Sequence, residues 1–522
     1  MEPVSQSSSS YDDLPYKSRV LPFTHPISLA TMATLYGATP APVETCRVLE
    51  IGCATGDNLL SMAATLPKAS FVGIDYSSRE IEDGLRRLHA VGLSNVDLRC
   101  LSLMDVQPDC GEFDYILCHG VYSWVSPDVA DRILSLYAWH LSPQGIGYIS
   151  YNTYPGWHIK SIIRDSLRYH VRGVSGVQQQ VEAARKFLHA LANSVPKHDE
   201  IYRKVLQDGA EDMDSYRDDY LFHEFLEEWN CPVYFHTFME RAAAKGLQYV
   251  GPAKFTQWEA LLPSDVKQMF STIPNRIERE QYLDHFGNRT FRKSLLCRAE
   301  KSMIQNPSLA ALQTFFVSTD LRPVSAQADL ASSEPVQFRS SSQDELTTNK
   351  PSVKLALNYL ATQAPRTVPF ASIWPSIQPL LPDQGDPDSS PTLLAEALLQ
   401  CFQGNLVDFM VSDYPYILEV SPRPCASPFA RSQAMKSELV ANLRHRLVRL
   451  SDFERIVLAH LDGSRDRSAL CRVISEAIDR GDLDLVDKTG TPVQGGALRE
   501  ALIEQSLDPC LQQLAAHALL VG

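Results

Sequence analysis

Residues 48–58 place an acid and a group of small residues where a strand pattern changes to a helix pattern. An apolar run reaches Glu50, and a helical pattern begins at Asn58. The turn between them is made of small side chains: Gly52, Cys53, Ala54 and Gly56. Small residues let a ligand touch the backbone, and a helix N-terminus offers unpaired N–H groups. The stretch therefore predicts a ligand-binding loop between a buried strand and a helix.

A second acid, Asp75, ends the next predicted strand and lies 23 residues beyond Gly52. This spacing is close to the roughly 20 residues expected for the acid that binds a ribose in a nucleotide-binding βαβ unit. The loop lacks the Gly-x-Gly-x-x-Gly pattern of pyrophosphate binders, and a carboxylate at Glu50 would repel phosphate. Glu50 suits a ligand that carries an ammonium and a sulfonium group. An ordinary strand–helix corner is the alternative interpretation of the loop.

The pattern Glu-x-Gly-x-Ala-x-Gly resembles the first motif of the class I S-adenosylmethionine-dependent methyltransferases, with Ala54 in place of the middle glycine. The resemblance implies S-adenosylmethionine as cofactor, with the methionine moiety at the loop, the ribose hydroxyls at Asp75 and the adenine amino group at Asp105. A solvated turn is the alternative for Asp105. The residues expected at the cofactor are Glu50, Gly52, Cys53, Ala54, Gly56, Asn58, Asp75, Tyr76, Ser77, Asp105 and His119.

Two segments that follow core strands, 118–124 and 150–158, combine aromatic side chains with polar tips. A lysine acceptor must lose its proton before it can be methylated, and an apolar aromatic slot favours the neutral amine. Rim or core packing is the alternative for these residues, and His119 could either bond a turn or act as a base. The expected acceptor pocket consists of His119, Tyr122, Asn152, Tyr154 and Trp157.

The elements that must position these residues alternate between strand and helix up to about residue 156, which predicts a parallel sheet covered on both faces. Helical periodicity alone follows, and strand patterns return near residues 247 and 290. The predicted fold is α/β: a Rossmann-like methyltransferase sheet with a helical insertion, then winged-helix-like and small helical C-terminal domains. The predicted division is 1–10, disordered; 11–156, cofactor-binding core; 157–232, helical insertion or lid; 233–300, completion of the sheet; 301–350, connector and linker; 351–428, winged-helix-like domain; and 429–522, C-terminal helical domain.

Four further motifs extend the resemblance to one bacterial branch of these methyltransferases: Tyr11-Asp12-x-x-Pro15-Tyr16, Thr24-His25-Pro26, His119–Trp124 and Tyr151-Asn152-x-x-Pro155-Gly156-Trp157. Members of the branch carry a methyltransferase regulatory domain, which would match about 215–300 here. Some also carry a winged-helix domain, and these include protein-lysine methyltransferases that act on bacterial surface proteins. The resemblance implies a protein-lysine acceptor. The Asn/Asp-Pro-Pro-Tyr motif of amide-nitrogen and adenine methyltransferases is absent.

Composition limits the partners and the location. The 522 residues carry a formal net charge of −14, which argues against a nucleic-acid partner. No apolar run approaches the roughly 20 residues of a membrane helix, and no basic start precedes an apolar segment. The eleven cysteines form no Cys-x-x-Cys pair, which indicates buried thiols without disulfides or a metal site. We expect a cytoplasmic protein that does not bind membranes; its oligomeric state stays open.

Three functions are compatible with these sequence features. The leading hypothesis is a methyltransferase acting on nitrogen, with lysine in a protein substrate as the acceptor. A small-metabolite methyltransferase closed by a lid is the first alternative. A sensor of S-adenosylmethionine with a nucleic-acid-binding winged helix is the second, although its one basic cluster has the pattern of a solvated helix face: Arg444, His445, Arg446 and Arg449.

Overall fold

The computed structural model of the chain describes residues 18–255, 262–382, 390–484 and 496–522. The predicted disordered residues 1–10 and the motif at 11–16 lie outside the described residues. The fold is mixed α/β and is built on a central seven-stranded sheet, which confirms the predicted fold class.

The inner strands of the central sheet are rich in branched and aromatic residues and buried on both faces, whereas the edge strand at Val96–Cys100 is mostly exposed. In chain order they are β1 (Arg47–Ile51), β2 (Ser70–Asp75), β3 (Val96–Cys100), β4 (Phe113–Cys118), β5 (Leu141–Asn152), β6 (Leu247–Pro252) and β7 (Phe291–Arg298). Their order across the sheet is β3-β2-β1-β4-β5-β7-β6. Strands β1 to β5 pair in parallel, and β7 is antiparallel to both β5 and β6. The carboxyl ends of β1, β2, β4 and β5 therefore meet at one edge.

Four helices precede or connect the parallel strands: α1 (Pro26–Leu35), α2 (Asp57–Thr65), α3 (Ser78–Val91) and α4 (Pro127–His140). Local signals set the bounds of α3. The Ser77 side chain accepts a hydrogen bond from the Glu80 amide at its start, and Gly92 ends it with φ +68°. The helical pattern of the sequence predicts a helix near residues 78–91, and the observed bounds agree with it.

The predicted helical insertion is a helical layer with an apolar core of its own. It contains α5 (Gly156–Val171), α6 (Val177–Ser194), α7 (Glu200–Ser215), α8 (Asp218–Leu221) and a π-helical turn at Phe222–Leu226. Because α5 starts directly after β5, the layer stands over the edge where the parallel strands end. Helices α9 (Phe235–Ala244), α10 (Ser264–Ser271) and α11 (Arg276–Phe286) then accompany β6 and β7.

A buried ionic network fastens α11 to β7. The Arg292 guanidinium on β7 lies 2.7 Å from a carboxylate oxygen of Asp284 and 3.1 Å from one of Glu280. Arg289 lies 3.1 Å from the other oxygen of Asp284. The side chains of Arg292 and Asp284 are 2% and 0% exposed, so each charge depends on its partner for compensation.

Residues 301–350, predicted as a connector and linker, contain short strands: β8 (Phe316–Ser318), β9 (Arg322–Pro323), β10 (Val336–Arg339) and β11 (Glu345–Thr348). Strands β9 to β11 form an antiparallel sheet in which Val336 and Phe338 point inward. The polar composition of 324–350 indicates a linker because strongly apolar residues are few and scattered in this stretch.

After residue 350 the sequence pattern predicts three helices and then a strand, and the structure has them in that order. The helices are α12 (Pro351–Gln363), α13 (Phe370–Ile377) and α14 (Pro391–Gln403). A short strand, β12 (Val368–Pro369), lies between α12 and α13, and β13 (Asp408–Met410) follows α14. Strand β8 pairs with β12 and β13. This middle unit shares one hydrophobic core with the central sheet, since Leu29 of α1 and Tyr148 of β5 belong to the same buried cluster as Phe315 and Leu357.

The last unit contains α15 (Pro428–Ala434), a hairpin of β14 (Leu439–Ala441) and β15 (Leu447–Arg449), then α16 (Asp452–Ala459), α17 (Arg467–Asp479) and α18 (Ala497–Ala516). The sequence Ser451-Asp452-Phe453-Glu454 has the pattern of a capping box, and the Ser451 and Glu454 side chains form this box at the start of α16. An apolar cluster that includes Phe429 and Ala441 packs this unit against Leu60 of α2 and Leu88 of α3.

The basic cluster at 444–449 is not the solvated helix face that its sequence pattern predicts. It lies in the β14–β15 hairpin, where His445 is fully buried. Arg444 donates to the Tyr416 hydroxyl at 2.6 Å, Arg446 lies 2.7 Å from Asp408, and Arg449 pairs with Glu438. Because the chain itself provides these partners, the cluster does not form a free basic surface.

Among the described residues, no helix has both the length and the apolar character needed to cross a bilayer. All eleven cysteines are free thiols, and the four that lie in apolar runs are buried: Cys53, Cys118, Cys297 and Cys401.

Candidate functional site

A cavity of about 830 Å³ opens at the edge where β1, β2, β4 and β5 end. One part of its wall comes from the first three strands and the loops after them: Gly52, Ala54, Asp75, Tyr76, Ser77, Glu80 and Leu101–Met104. The other part comes from the segments after β4 and β5, from the insertion and from the residues before β7: His119, Gly120, Trp124, Asn152, Trp157, Lys160, Tyr220, His223, Glu224, Thr290 and Phe291. The cavity thus joins the two sites that the sequence predicts separately.

The loop after β1 follows a left-handed path, with φ of +72° at Gly52, +48° at Ala54 and +74° at Gly56. Ala54 adopts a conformation that favours glycine, and Asp75 holds it there. One oxygen of the Asp75 carboxylate accepts a hydrogen bond from the Ala54 amide at 2.8 Å. The other accepts from the Ser77 amide at 2.9 Å, so this single carboxylate joins the loop to the end of β2.

Close packing leaves room for glycine alone at two positions around this loop. A Cβ on Gly52 would lie 2.4 Å from Cγ2 of Val121. A Cβ on Gly84, in α3, would lie 2.7 Å from the backbone oxygen of Thr55. The loop is therefore fixed from both sides before any ligand binds.

Glu50 lies behind the loop and is 4% exposed. Its Oε1 accepts a hydrogen bond from the Asn58 amide at 2.7 Å, whereas its buried Oε2 has no partner among the described residues. Burial raises the pKa of Glu50 to about 8; the hydrogen bond from Asn58 opposes this rise, and the charge of Asp75 adds to it. A cationic ligand at the loop would offset this uncompensated acid, so the site fits the ammonium and sulfonium groups of S-adenosylmethionine.

A third acid faces the same part of the cavity. Glu80 in the first turn of α3 lines the wall, and burial, followed by the charge of Asp75, raises its pKa to about 7. Asp75 and Glu80 together present oxygen acceptors where the sequence predicts the ribose.

His119 lies at the junction of the two parts of the wall. Its Nδ1 is 2.8 Å from the Tyr148 hydroxyl and 3.2 Å from Oγ of Ser150. Burial, and then the charge of Lys293, lowers the pKa of His119 to about 4. The imidazole is therefore neutral at pH 7, which makes it a weak base and a good orienting group.

Trp157, Trp124 and Asn152 form the aromatic and amide part of the wall. The two indole rings meet edge to face with centroids 6.2 Å apart. The Asn152 side-chain amide donates to Oδ1 of Asn230, at the far end of the insertion, at 2.8 Å. The insertion is thereby tied to the strand end that carries this wall.

Several predicted site residues do not line the cavity. Tyr122 is 2% exposed and packs against Tyr151 and Phe238 in the core. Tyr154 stacks on His158 at 4.1 Å, away from the cavity wall. Asp105 is an exposed turn residue, as in the alternative considered for it. Four further residues lie outside the wall: Cys53 and Gly56 in the loop itself, and Glu50 and Asn58 behind it.

The insertion contributes four wall residues that the sequence patterns do not identify: Lys160, Tyr220, His223 and Glu224. The Lys160 ammonium lies 2.8 Å from Glu224 and 5.2 Å from the centre of the Trp157 ring. Nδ1 of His223 lies 2.8 Å from a carboxylate oxygen of Glu227. The one sequence signal for these residues is the pair of His223 and Glu227. A surface helix can carry the same pair, so the helical pattern does not identify a site here.

Three family models match the chain. The one described as "Methyltransferase domain" matches residues 48–145, and "Predicted methyltransferase regulatory domain" matches 217–298. "PKMT, C-terminal winged helix domain" matches 422–519. That match falls on the last unit of the fold, whereas the sequence pattern placed a winged-helix-like domain at 351–428. The middle unit contains three helices and the last unit four, and the polar hairpin of the last unit resembles a helix in sequence.

Known proteins are similar to the chain over almost its whole length. An uncharacterized protein of Rickettsia prowazekii is 30% identical over 517 residues, which are 98% of this chain and 93% of that protein. The structure of PKMT2 from Rickettsia typhi, also solved in complex with AdoHcy, is 29% identical. It superposes with a TM-score of 0.83 over 97% of this chain and 100% of the other.

Proposed function

Because the chain belongs to the class I S-adenosylmethionine-dependent methyltransferases that carry a methyltransferase regulatory domain and a PKMT winged-helix domain, we propose that it methylates the side-chain nitrogen of lysine in a protein substrate. PKMT denotes protein lysine methyltransferase. The methyl donor is S-adenosylmethionine, and the enzyme is a methyltransferase. The lysine acceptor and its protein are the proposed part.

One observation carries the proposal. A lysine of the chain itself already lies in the cavity wall: the Lys160 ammonium lies between the Glu224 carboxylate and the face of Trp157. A carboxylate and an aromatic face are the groups that attract an alkyl ammonium, and both tolerate its methylated form. A substrate lysine that enters between the insertion and Trp124 would meet the same chemistry.

The chain's own residues must then prepare the amine. When bound, the cofactor supplies an electrophilic methyl group, and the acceptor nitrogen must offer a free lone pair. Trp124 and Trp157 exclude water, which lowers the pKa of a lysine ammonium placed beside them in the cavity. His223, held by Glu227, is placed in the wall to accept the proton, and Asn152 can orient the amine through its amide oxygen.

A labelling experiment with paired tryptophan variants tests the acceptor. Incubation with methyl-labelled S-adenosylmethionine and cell extract should label a protein, and hydrolysis of that protein should release methylated lysine. Trp124→Ala should reduce this labelling about tenfold or more, since positioning and desolvation of the amine are lost, with cofactor affinity unchanged. Trp139→Ala is the matched control, because Trp139 lies on α4 outside the cavity wall.

Label in the low-molecular-weight fraction alone would replace the proposal with the small-metabolite alternative. Label on a protein side chain other than lysine would overturn the assignment of lysine as the acceptor but would still support a protein substrate. Equal losses in the Trp124 and Trp139 variants would show that Trp124 acts through stability.

Glu50 predicts a distinctive pH dependence of cofactor affinity. Its pKa of about 8 leaves it mostly neutral below that pH, and a nearby sulfonium favours its ionised form. The affinity of S-adenosylmethionine relative to S-adenosylhomocysteine should therefore rise with pH, by about tenfold between pH 6 and 9 if the pKa falls by one unit on binding. The ratio cancels the titration of the amino group that both ligands carry. Calorimetry at each pH measures it.

Glu50→Gln is the control for this pH dependence, because an amide still accepts from Asn58 but cannot ionise. The ratio should be flat with pH in that variant, and a flat ratio in the natural protein would contradict the assignment of Glu50. The folding stability of the free protein should change with pH in the opposite direction. Because folding raises the pKa of this carboxyl, the free protein becomes less stable as the pH rises towards 8.

A further inference from the structure

The hairpin of the last unit reaches the cofactor loop. The turn between β14 and β15 lies against the N-terminal half of α2, and His445 at this turn is fully buried. Its Nε2 is 2.9 Å from Oδ1 of Asn58, and its Nδ1 is 2.8 Å from Oγ of Ser61. These contacts join positions almost four hundred residues apart in the chain.

The hydrogen bonds around Asn58 and His445 show which of their atoms donate and which accept. Oδ1 of Asn58 accepts from the Leu21 amide at 2.9 Å, and its Nδ2 donates to Glu50 at 2.7 Å. Burial, and then His25, lowers the pKa of His445 well below its ordinary value, so the imidazole is neutral and carries one N–H. That N–H must be on Nε2, since Asn58 presents an acceptor, while Ser61 donates its hydroxyl hydrogen to Nδ1.

The hairpin turn holds His445 in an unfavourable backbone conformation. Its φ is +55°, in the left-handed region that few side chains adopt. Oδ1 of Asn442 accepts from the amides of Arg444 and Arg446, and its Nδ2 donates to the His517 carbonyl, which fixes the turn from beneath. Apolar packing of Phe429 and Ala441 would dock the unit without a buried histidine, so docking alone does not account for the strain.

We propose that His445 is a positioning residue for the cofactor site: it fixes the Asn58 amide so that its nitrogen faces Glu50, and the last unit thereby completes the cofactor-binding half of the enzyme. The imidazole shares this task with the Leu21 amide, which donates to Oδ1 of Asn58, and with the Thr24 hydroxyl, which lies 3.0 Å from its Nδ2. Without the imidazole, Asn58 is held less firmly, and so is the hydrogen bond that it donates to Glu50, the one hydrogen bond of Glu50 among the described residues. The proposal depends on cofactor binding and not on the identity of the acceptor. A failed lysine assignment would leave it intact.

Two substitutions separate positioning from a merely structural role. His445→Asn suits the left-handed turn but is too short to reach Asn58. His445→Gln reaches as far as Nε2 but fits the turn poorly. We expect S-adenosylhomocysteine to bind the full-length His445→Asn variant about tenfold more weakly, and the His445→Gln variant within about threefold of the natural protein. The melting temperature without ligand should follow the opposite order, with the Asn variant the more stable.

The Asn58→Ala background gives a second readout. If His445 acts through Asn58, then His445→Asn should not weaken binding further when Asn58 is already alanine. Arg446→Ala, in the same turn but directed at Asp408, should change affinity less than twofold. The proposal is overturned if affinity follows thermal stability in the Asn and Gln variants, or if the Asn58 and His445 effects are additive.

Discussion

Replacing Asp75 by alanine should weaken the binding of S-adenosylhomocysteine by at least about 100-fold, since charged acceptors contribute about 1.5–3 kcal/mol per hydrogen bond. The carboxylate accepts from the Ala54 and Ser77 amides, so its loss frees the loop and also removes the group we expect at the ribose. Ala54 would then lack the contact that holds its left-handed conformation. Titration calorimetry of the purified variant measures the loss.

The matched control is Asp97→Ala. Asp97 lies on the neighbouring strand β3, and it pairs with Arg99 at 2.6 Å on the surface. Its removal should leave cofactor affinity unchanged. Asp75→Asn keeps one carbonyl acceptor and should fall between the two. A change of less than about threefold in Asp75→Ala would contradict the central role of this carboxylate.

Replacing Arg292 by leucine should destabilise the protein by about 3–5 kcal/mol, the usual loss when one partner of a buried ion pair is removed. Asp284 and Glu280 would stay buried, with Arg289 near both and Arg276 near Glu280 as the remaining compensating charges. Burial already raises the pKa of Asp284 despite the opposing charge of Arg292, so the variant should raise it further. A carboxyl with a raised pKa loses stability as the pH rises, so the defect should be smaller near pH 5 than at pH 8.

Urea unfolding followed by tryptophan fluorescence measures this loss. Arg99→Leu is the comparison, because Arg99 lies in the same sheet and pairs with an exposed acid; its loss should stay below about 1 kcal/mol. Equal losses in the two variants, or a defect in Arg292→Leu that shrinks as the pH rises, would contradict the proposed role of the buried network.

Local signals determined how much of the fold could be predicted. Helix α3 was bounded correctly because Ser77 and Gly92 are strong start and stop residues. Strands β10 and β11 were missed because two inward residues in a polar stretch, Val336 and Phe338, are too few to show a strand period. The hairpin near His445 was missed because its position depends on a contact with Asn58, which is far away in the sequence.

The same limit applies to the candidate site. The loop and Asp75 are close in sequence, so their spacing predicts that they meet. After β4, the sequence pattern favoured Tyr122, whereas Trp124 lines the cavity, because a turn determines which of these two nearby aromatics faces it. Glu224 belongs to a separate helical layer, and only the packing of that layer over the sheet brings it to the wall.

The core that the middle unit shares with the central sheet bears on how the chain can be divided. A fragment that stops near residue 300 would keep every residue of the loop and the cavity wall. It would also leave the apolar flank of α1 and the sheet in water, since Phe315 and Leu357 cover it in the whole protein. An independently folding fragment therefore extends at least through this middle unit, and an exchange of domains between relatives must move the sheet and the middle unit together.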